Sequence, residues 1–223
     1  NIWHPYFFVV DLNLIKVMSS SVLNLKKATI IDGVAATEDR DSQNEILSLD
    51  GADISEMTKR GYFNDNHGSG FANTLGRILE AKKIRKESDA ENDRQRAYWK
   101  RMNKPFLYVK GYLFDEAEHP NAKAVASIMK EFKKMGTPLD VQMSVEGKVK
   151  QRGEGGLLKE SMIRNVALTL VPANKNTGSQ IVSDEVQKAV IAHCKMQGGN
   201  TEYATNLMKN MAATPIASVP GFI

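Results

Sequence analysis

Cysteine is almost absent from this sequence, and its scarcity excludes small folds held together by disulfides. Among 223 residues only Cys194 is a cysteine, so no internal disulfide can form and an intracellular protein is expected. No cysteine or histidine cluster has the spacing of a zinc site, and we expect neither a metal nor another cofactor.

An excess of one charge is also missing. Lys and Arg number 30 against 26 Asp and Glu, and the two signs are interleaved along most of the chain. A formal charge of +4 permits an acidic partner, but this pattern does not predict specific nucleic-acid binding. With 42% hydrophobic residues, the chain is long enough for one substantial core, and we expect one domain with tails.

A long uninterrupted apolar run is lacking as well. Residues 1–17 are apolar for a terminus, but Asp11 and Asn13 interrupt them and no basic start precedes them. We therefore expect neither a signal peptide nor a membrane anchor. Residues 1–27 form an expected N-terminal extension in which Met18 resembles a translation start; an added strand that packs on the core is the alternative.

The clearest strand signal lies in residues 140–149, where apolar and polar side chains alternate. Residues 120–135 repeat apolar positions every three or four residues and predict an amphipathic helix. A short helix is expected from Ser55, and the charged stretch 85–104 is expected to be a solvated connection. Further strands are predicted at 28–35, 75–84, 106–114 and 165–172.

Two residues far apart in sequence suggest nucleophilic catalysis. Ser144 lies on the polar face of the alternating strand, and His67 lies in a loop next to Gly68 and Gly70. A fold can bring a serine and a histidine together as nucleophile and general base. The alternative is an exposed loop histidine and a strand serine that only form surface hydrogen bonds.

The order of these segments carries a family resemblance. A loop with Asn66-His67, a strand pair, an amphipathic helix, a Ser-x-x-Gly strand at 144–147 and an apolar strand ending in Pro-Ala-Asn at 172–174 follow one another. Over residues 28–181 this order resembles the prohead maturation proteases of tailed bacteriophages, distant relatives of the herpesvirus assemblins. The resemblance implies an α+β fold, a compact and mostly antiparallel β-barrel with packed helices. It also implies a serine endopeptidase with His67 as general base and Ser144 as nucleophile.

A third catalytic group is harder to assign from the sequence. The resemblance suggests an acid or a second histidine on the strand at 166–171, which has neither. Asn165 at its start and Asp65, two residues before the histidine, are the two candidates. Asp140 and Glu146 share the Ser144 face, with Glu146 about 6.5 Å along the strand. Candidate oxyanion donors are backbone amides near Gly147 or in the glycine-rich segment 153–156.

The resemblance further implies partners, a location and self-processing. Expected substrates are the scaffold, internal-head and major capsid precursor proteins, cut after glutamate inside the viral procapsid in the host cytoplasm. Homo-oligomerisation is compatible with the sequence. Residues 182–223 predict a helical tail, and cleavage after Glu185, in the linker before it, would remove the tail. The rival interpretation is a non-catalytic capsid or scaffold-associated structural protein on the same fold.

Overall fold

The computed structural model describes residues 29–114, 116–136 and 140–182. The expected N-terminal extension, the helical tail beyond residue 182 and the cleavage site at Glu185 lie outside the described residues.

Nine strands, all in the described part of the chain, form one mixed sheet. They are β1 (Thr29–Thr37), β2 (Ile46–Leu47), β3 (Ala52–Asp53), β4 (Tyr62–Asp65), β5 (Thr74–Ile84), β6 (Phe106–Leu113), β7 (Gln142–Arg152), β8 (Leu157–Thr169) and β9 (Gly178–Ile181). All five strands predicted from the sequence are present; β8 begins eight residues earlier than expected and ends at Thr169.

Three α-helices are formed by the described residues: α1 (Ser55–Arg60), α2 (Asp93–Met102) and α3 (Pro120–Met135). The prediction for α3 is confirmed. Its first turn begins with proline, and the side chain of His119 accepts a hydrogen bond from the backbone N–H of Ala122 at 3.2 Å. Gly136 ends the helix with a positive φ of 59°.

The prediction of a solvated connection at 85–104 is wrong, because this stretch contains α2. The side chain of Asn92 caps the helix, and Tyr98 is buried against β1 and β6. The Arg94 guanidinium donates two hydrogen bonds to the carboxylate of Asp32, which is completely buried in β1. The hydroxyls of Tyr98 and Tyr108 donate to the same carboxylate, each at 3.0 Å. Arg94 of this helix therefore serves a buried ion pair, whereas Lys100 and Arg101 at its end are exposed.

The α+β class is confirmed, but the expected closed β-barrel is wrong. The strand order is β2-β8-β4-β5-β6-β1-β9, and β3 and β7 also pair with β8. Of the eight pairings, five are antiparallel and three, those of β8 with β2, β3 and β4, are parallel. Closure would require a ladder between β9 and β7. In the described residues the backbone N–H of Ser179 reaches the carbonyl of Val141 at 3.1 Å, one residue before β7 begins, and the sheet stays open.

The two faces of the β7–β8 pair have different roles. Opposite residues of a ladder project to the same face, so the register separates apolar from polar side chains. One face packs into the hydrophobic core through Met143, Val145, Val166 and Leu168. The other face carries Ser144 and Glu146 opposite Ala167 and Asn165, and the candidate site lies there.

Candidate active site

Strand β8 brings together segments that are distant in sequence. Ala167 pairs with Asn64 of β4 on one side and with Ser144 of β7 on the other. All three side chains therefore share one face of the sheet. Neighbouring strands lie about 4.8 Å apart, so the chain entering the His67 loop and the serine strand are separated by roughly 10 Å.

The His67 loop is fixed to the end of β8. Asn66 and His67 have positive φ values of 46° and 63°, so both lie in the left-handed region that non-glycine residues rarely occupy. The backbone N–H of Asn66 donates to the carbonyl of Leu168 at 3.0 Å, and its side-chain oxygen accepts from the Thr169 hydroxyl at 2.7 Å. These bonds hold a conformation that would otherwise cost free energy, a feature that is common at functional sites.

A hydrogen bond connects the loop to the serine strand. Nδ1 of His67 lies 2.8 Å from Oε1 of Glu146, while the second carboxylate oxygen accepts from the Asn64 side-chain amide at 2.5 Å. Because a carboxylate can only accept, a neutral His67 carries its proton on Nδ1. Nε2 is then the basic nitrogen. This is the tautomer in which a histidine can act as a general base.

The partner of the imidazole is therefore Glu146, and neither Asn165 nor Asp65 takes that place. The Asn165 side-chain oxygen accepts instead from the backbone N–H of Tyr62 at 3.4 Å. Among the described residues, no hydrogen bond joins the side chain of Asp65 or of Asn165 to the His67 ring. The sequence feature that points to Glu146 as this partner is its position on the same face of the strand as Ser144.

Ser144 lies two residues before Glu146 on the same face of β7. The whole residue is 5% exposed, whereas the His67 side chain is 44% and the Glu146 side chain 24% exposed. The imidazole is therefore the more exposed group and the serine lies deeper in the protein. Among the described residues, the His67 ring hydrogen-bonds to Glu146 and not to Ser144. Burial of this kind reduces competition from water for the hydroxyl.

A β-bulge follows the acid directly. The β7–β8 register shifts between Glu146 and Gly147. A Cβ on Gly147 would lie 2.0 Å from the carbonyl oxygen of Met162, so only glycine fits the close approach of the two strands. Bulges redirect neighbouring side chains and are frequent beside active sites. The bulge thus gives a physical reason for the glycine three residues after the serine.

One of the two proposed sources of oxyanion donors is too far away. The segment 153–156 follows the end of β7, nine residues after Ser144. At about 3.3 Å per residue it lies roughly 30 Å from the serine. Backbone amides near Gly147 are the closer of the two candidates.

Metal and membrane features can be assessed for the same part of the chain. Residues 29–114, 116–136 and 140–182 contain no group of three or more His, Cys, Asp or Glu side chains arranged to hold a metal ion. Within these ranges, every helix is too short or too polar to cross a membrane.

Comparisons with known proteins add no assignment. No family model matches this chain, and no curated protein matches it significantly.

Proposed function

We propose that this protein is a serine endopeptidase in which Ser144 is the nucleophile, His67 the general base and Glu146 the acid that orients the base. The observation that carries the proposal is the 2.8 Å contact between Nδ1 of His67 and Glu146, with Ser144 two residues away on the same face. The side-chain origins of serine and acid are about 6.5 Å apart along the strand. One imidazole ring can hydrogen-bond across such a spacing.

The chemistry follows from this arrangement. Glu146 fixes the Nδ1–H tautomer, and Nε2 of His67 takes the proton of the Ser144 hydroxyl as its oxygen attacks a peptide carbonyl. The imidazolium, stabilised by the carboxylate, then gives that proton to the leaving amine. Water hydrolyses the resulting acyl-enzyme, again with His67 as the base, and the serine is regenerated.

The biological substrate is proposed from the family resemblance. The order of motifs in residues 28–181 supports a maturation protease that cuts scaffold, internal-head and major capsid precursor proteins after glutamate, inside the viral procapsid. The open sheet differs from the closed barrel that the resemblance implies. The proposal therefore depends on the order of motifs and on the geometry of the site, not on barrel closure.

The proposed chemistry can be tested without knowing the substrate. The purified full-length chain is incubated with a fluorophosphonate probe, and peptide mapping locates the adduct. We expect labelling at Ser144 that is lost in Ser144→Ala and in His67→Ala. Ser161→Ala is the matched control, because Ser161 is also 5% exposed but lies on β8 opposite Val149. Its labelling should equal that of the wild type.

Absence of labelling in the folded wild-type protein would contradict the proposal and favour a structural capsid or scaffold-associated role. Labelling that persists in His67→Ala would contradict the assignment of the base.

A further inference from the structure

Asn64 is a buried amide whose two ends bind two different parts of the site. The residue is 2% exposed and lies on β4 opposite Ala167. Its side-chain oxygen accepts from the backbone N–H of His67 at 3.0 Å, and its Nδ2 donates to Oε2 of Glu146 at 2.5 Å. Buried polar groups are usually hydrogen-bonded, and here both the oxygen and the nitrogen of the amide form their bonds within the site.

Each of these bonds controls a different degree of freedom. The bond to the His67 backbone holds the loop in its left-handed conformation, with φ of 63°. The bond to Oε2 restrains rotation of the Glu146 carboxylate and leaves Oε1 for the imidazole, 2.8 Å away. One side chain therefore fixes both the position of the base and the orientation of the acid.

We propose that Asn64 is a positioning residue that couples the conformation of the His67 loop to the orientation of the Glu146 carboxylate. This inference rests on the proposed serine-hydrolase function, but it concerns a buried residue outside the proposed set of Ser144, His67 and Glu146. Its two roles are to supply one acceptor to the loop and one donor to the acid. An aspartate at this position would always supply the acceptor, but it would supply the donor only when protonated. Such a variant should therefore be competent in one protonation state and defective in the other.

Asn64→Asp makes this distinction measurable. The introduced carboxyl group keeps the acceptor for the His67 backbone but faces Glu146 with a second titrating group. Two carboxyl groups that share a site hold one proton between them, and one of the two apparent pKa values is strongly raised. When that proton is present, the introduced side chain donates to Glu146 as the asparagine does. When it is lost, the two carboxylates repel and the acid leaves its position.

The measurement is the second-order rate of fluorophosphonate labelling at Ser144 as a function of pH, on the full-length chain. We expect the wild-type rate to rise as pH increases and then to level off. The labelling rate of Asn64→Asp should instead fall again as pH increases further, with a loss of about tenfold to a hundredfold on the alkaline side. The two described groups that hydrogen-bond to the Asn64 side chain are the backbone N–H of His67 and the carboxylate of Glu146.

Asn73→Asp is the matched control. Asn73 lies in the same loop and its amide donates to the carbonyl of Ser69 at 2.7 Å, with no bond to His67 or Glu146. Its profile should keep the wild-type shape. A second variant, Asn64→Ala, removes both bonds and should lower the rate about tenfold or more at every pH, without a new descending limb.

Wild-type labelling with Asn64→Asp and Asn64→Ala profiles equal to that of Asn73→Asp would overturn this inference and leave the proposed function intact. No wild-type labelling at all would overturn both.

A measurement on the unaltered protein covers the case in which neither Asn64 variant folds. The side-chain amide signals of Asn64 in nitrogen-15 NMR spectra should shift with the same pH midpoint as the His67 ring. Asn64 signals that do not respond to the His67 titration would contradict the coupling.

Discussion

Replacing Glu146 by glutamine tests whether the Glu146 carboxylate orients the His67 ring. The carboxylate accepts two hydrogen bonds, one from His67 Nδ1 at 2.8 Å and one from the Asn64 amide at 2.5 Å. Glutamine has one accepting oxygen and one donating NH₂ group. Whichever way the amide turns, an N–H group faces another donor, or His67 changes to the other tautomer and loses its basic Nε2.

The size of the effect follows from these two contacts. Loss of the orienting carboxylate in a serine-histidine-acid site lowers kcat by about 10⁴-fold. That figure is for replacement by an amide, as here, so we expect a loss of about 10³ to 10⁴ in kcat/KM. At about 1.36 kcal/mol per tenfold this is roughly 4 to 5.5 kcal/mol of transition-state stabilisation. Because the Glu146 side chain is 24% exposed, the free energy of unfolding should fall by only about 1 to 2 kcal/mol.

The assay is cleavage of a fluorescently labelled protein substrate by purified full-length variants, with urea unfolding of the same samples. Glu131→Gln is the control for the chemical change, because Glu131 is exposed on α3 and pairs with Lys134 at 2.7 Å. Asn165→Ala and Asp65→Ala compare the two candidates from the sequence and should each lose much less activity than Glu146→Gln.

A folded Glu146→Gln protein that keeps more than a tenth of the wild-type activity would refute this reasoning. So would a larger loss in Asp65→Ala or Asn165→Ala than in Glu146→Gln, since the orienting group would then lie elsewhere.

Three further predictions concern the fold and the tail. Gly147→Ala should lose about 3 kcal/mol or more of stability, because its Cβ would lie 2.0 Å from a backbone oxygen. Gly153→Ala, whose Cβ would have its nearest contact at 3.2 Å, should change little in the same urea titration. Equal stabilities of the two variants would contradict the packing argument. Arg94→Met should destabilise the protein by about 3 to 5 kcal/mol, because Asp32 would remain fully buried without the guanidinium of Arg94. Activity per folded molecule should be retained, and a change in stability below about 1 kcal/mol would contradict this prediction. Cleavage after Glu185 should release residues 186–223 from concentrated wild-type protein, as intact mass would show, and a full-length product under digesting conditions would contradict it.

Local periodicity predicted most of the strands and the long helix because neighbouring residues dominate those choices. Alternation at 140–149 corresponds to β7, and the apolar spacing at 120–135 corresponds to α3. The charged stretch 85–104 lies beyond the reach of this local information. Its charges suggested solvent, but Arg94 pairs with Asp32, which lies in a strand about 60 residues earlier.

The hydrogen-bond partner of the His67 ring depends on information that is not local. Glu146 meets His67 because of two pairings of β8: β4 runs parallel to β8, and β7 runs antiparallel to β8. The registers of these two ladders place Asn64 and Ser144 on either side of Ala167. A shift of one residue in either ladder would move these side chains to opposite faces of the sheet. The alternation of β7 correctly placed serine and acid on one face, but it carries no information about which loop approaches that face.

We propose that Ser144 cleaves peptide bonds. The most direct measurement is incubation of a protein substrate with purified wild-type protein and with Ser144→Ala, followed by mass analysis of the fragments. The account predicts fragments that end in glutamate with the wild-type protein and an intact substrate with Ser144→Ala. Identical fragments from both proteins, or no fragments from the folded wild type, would contradict it.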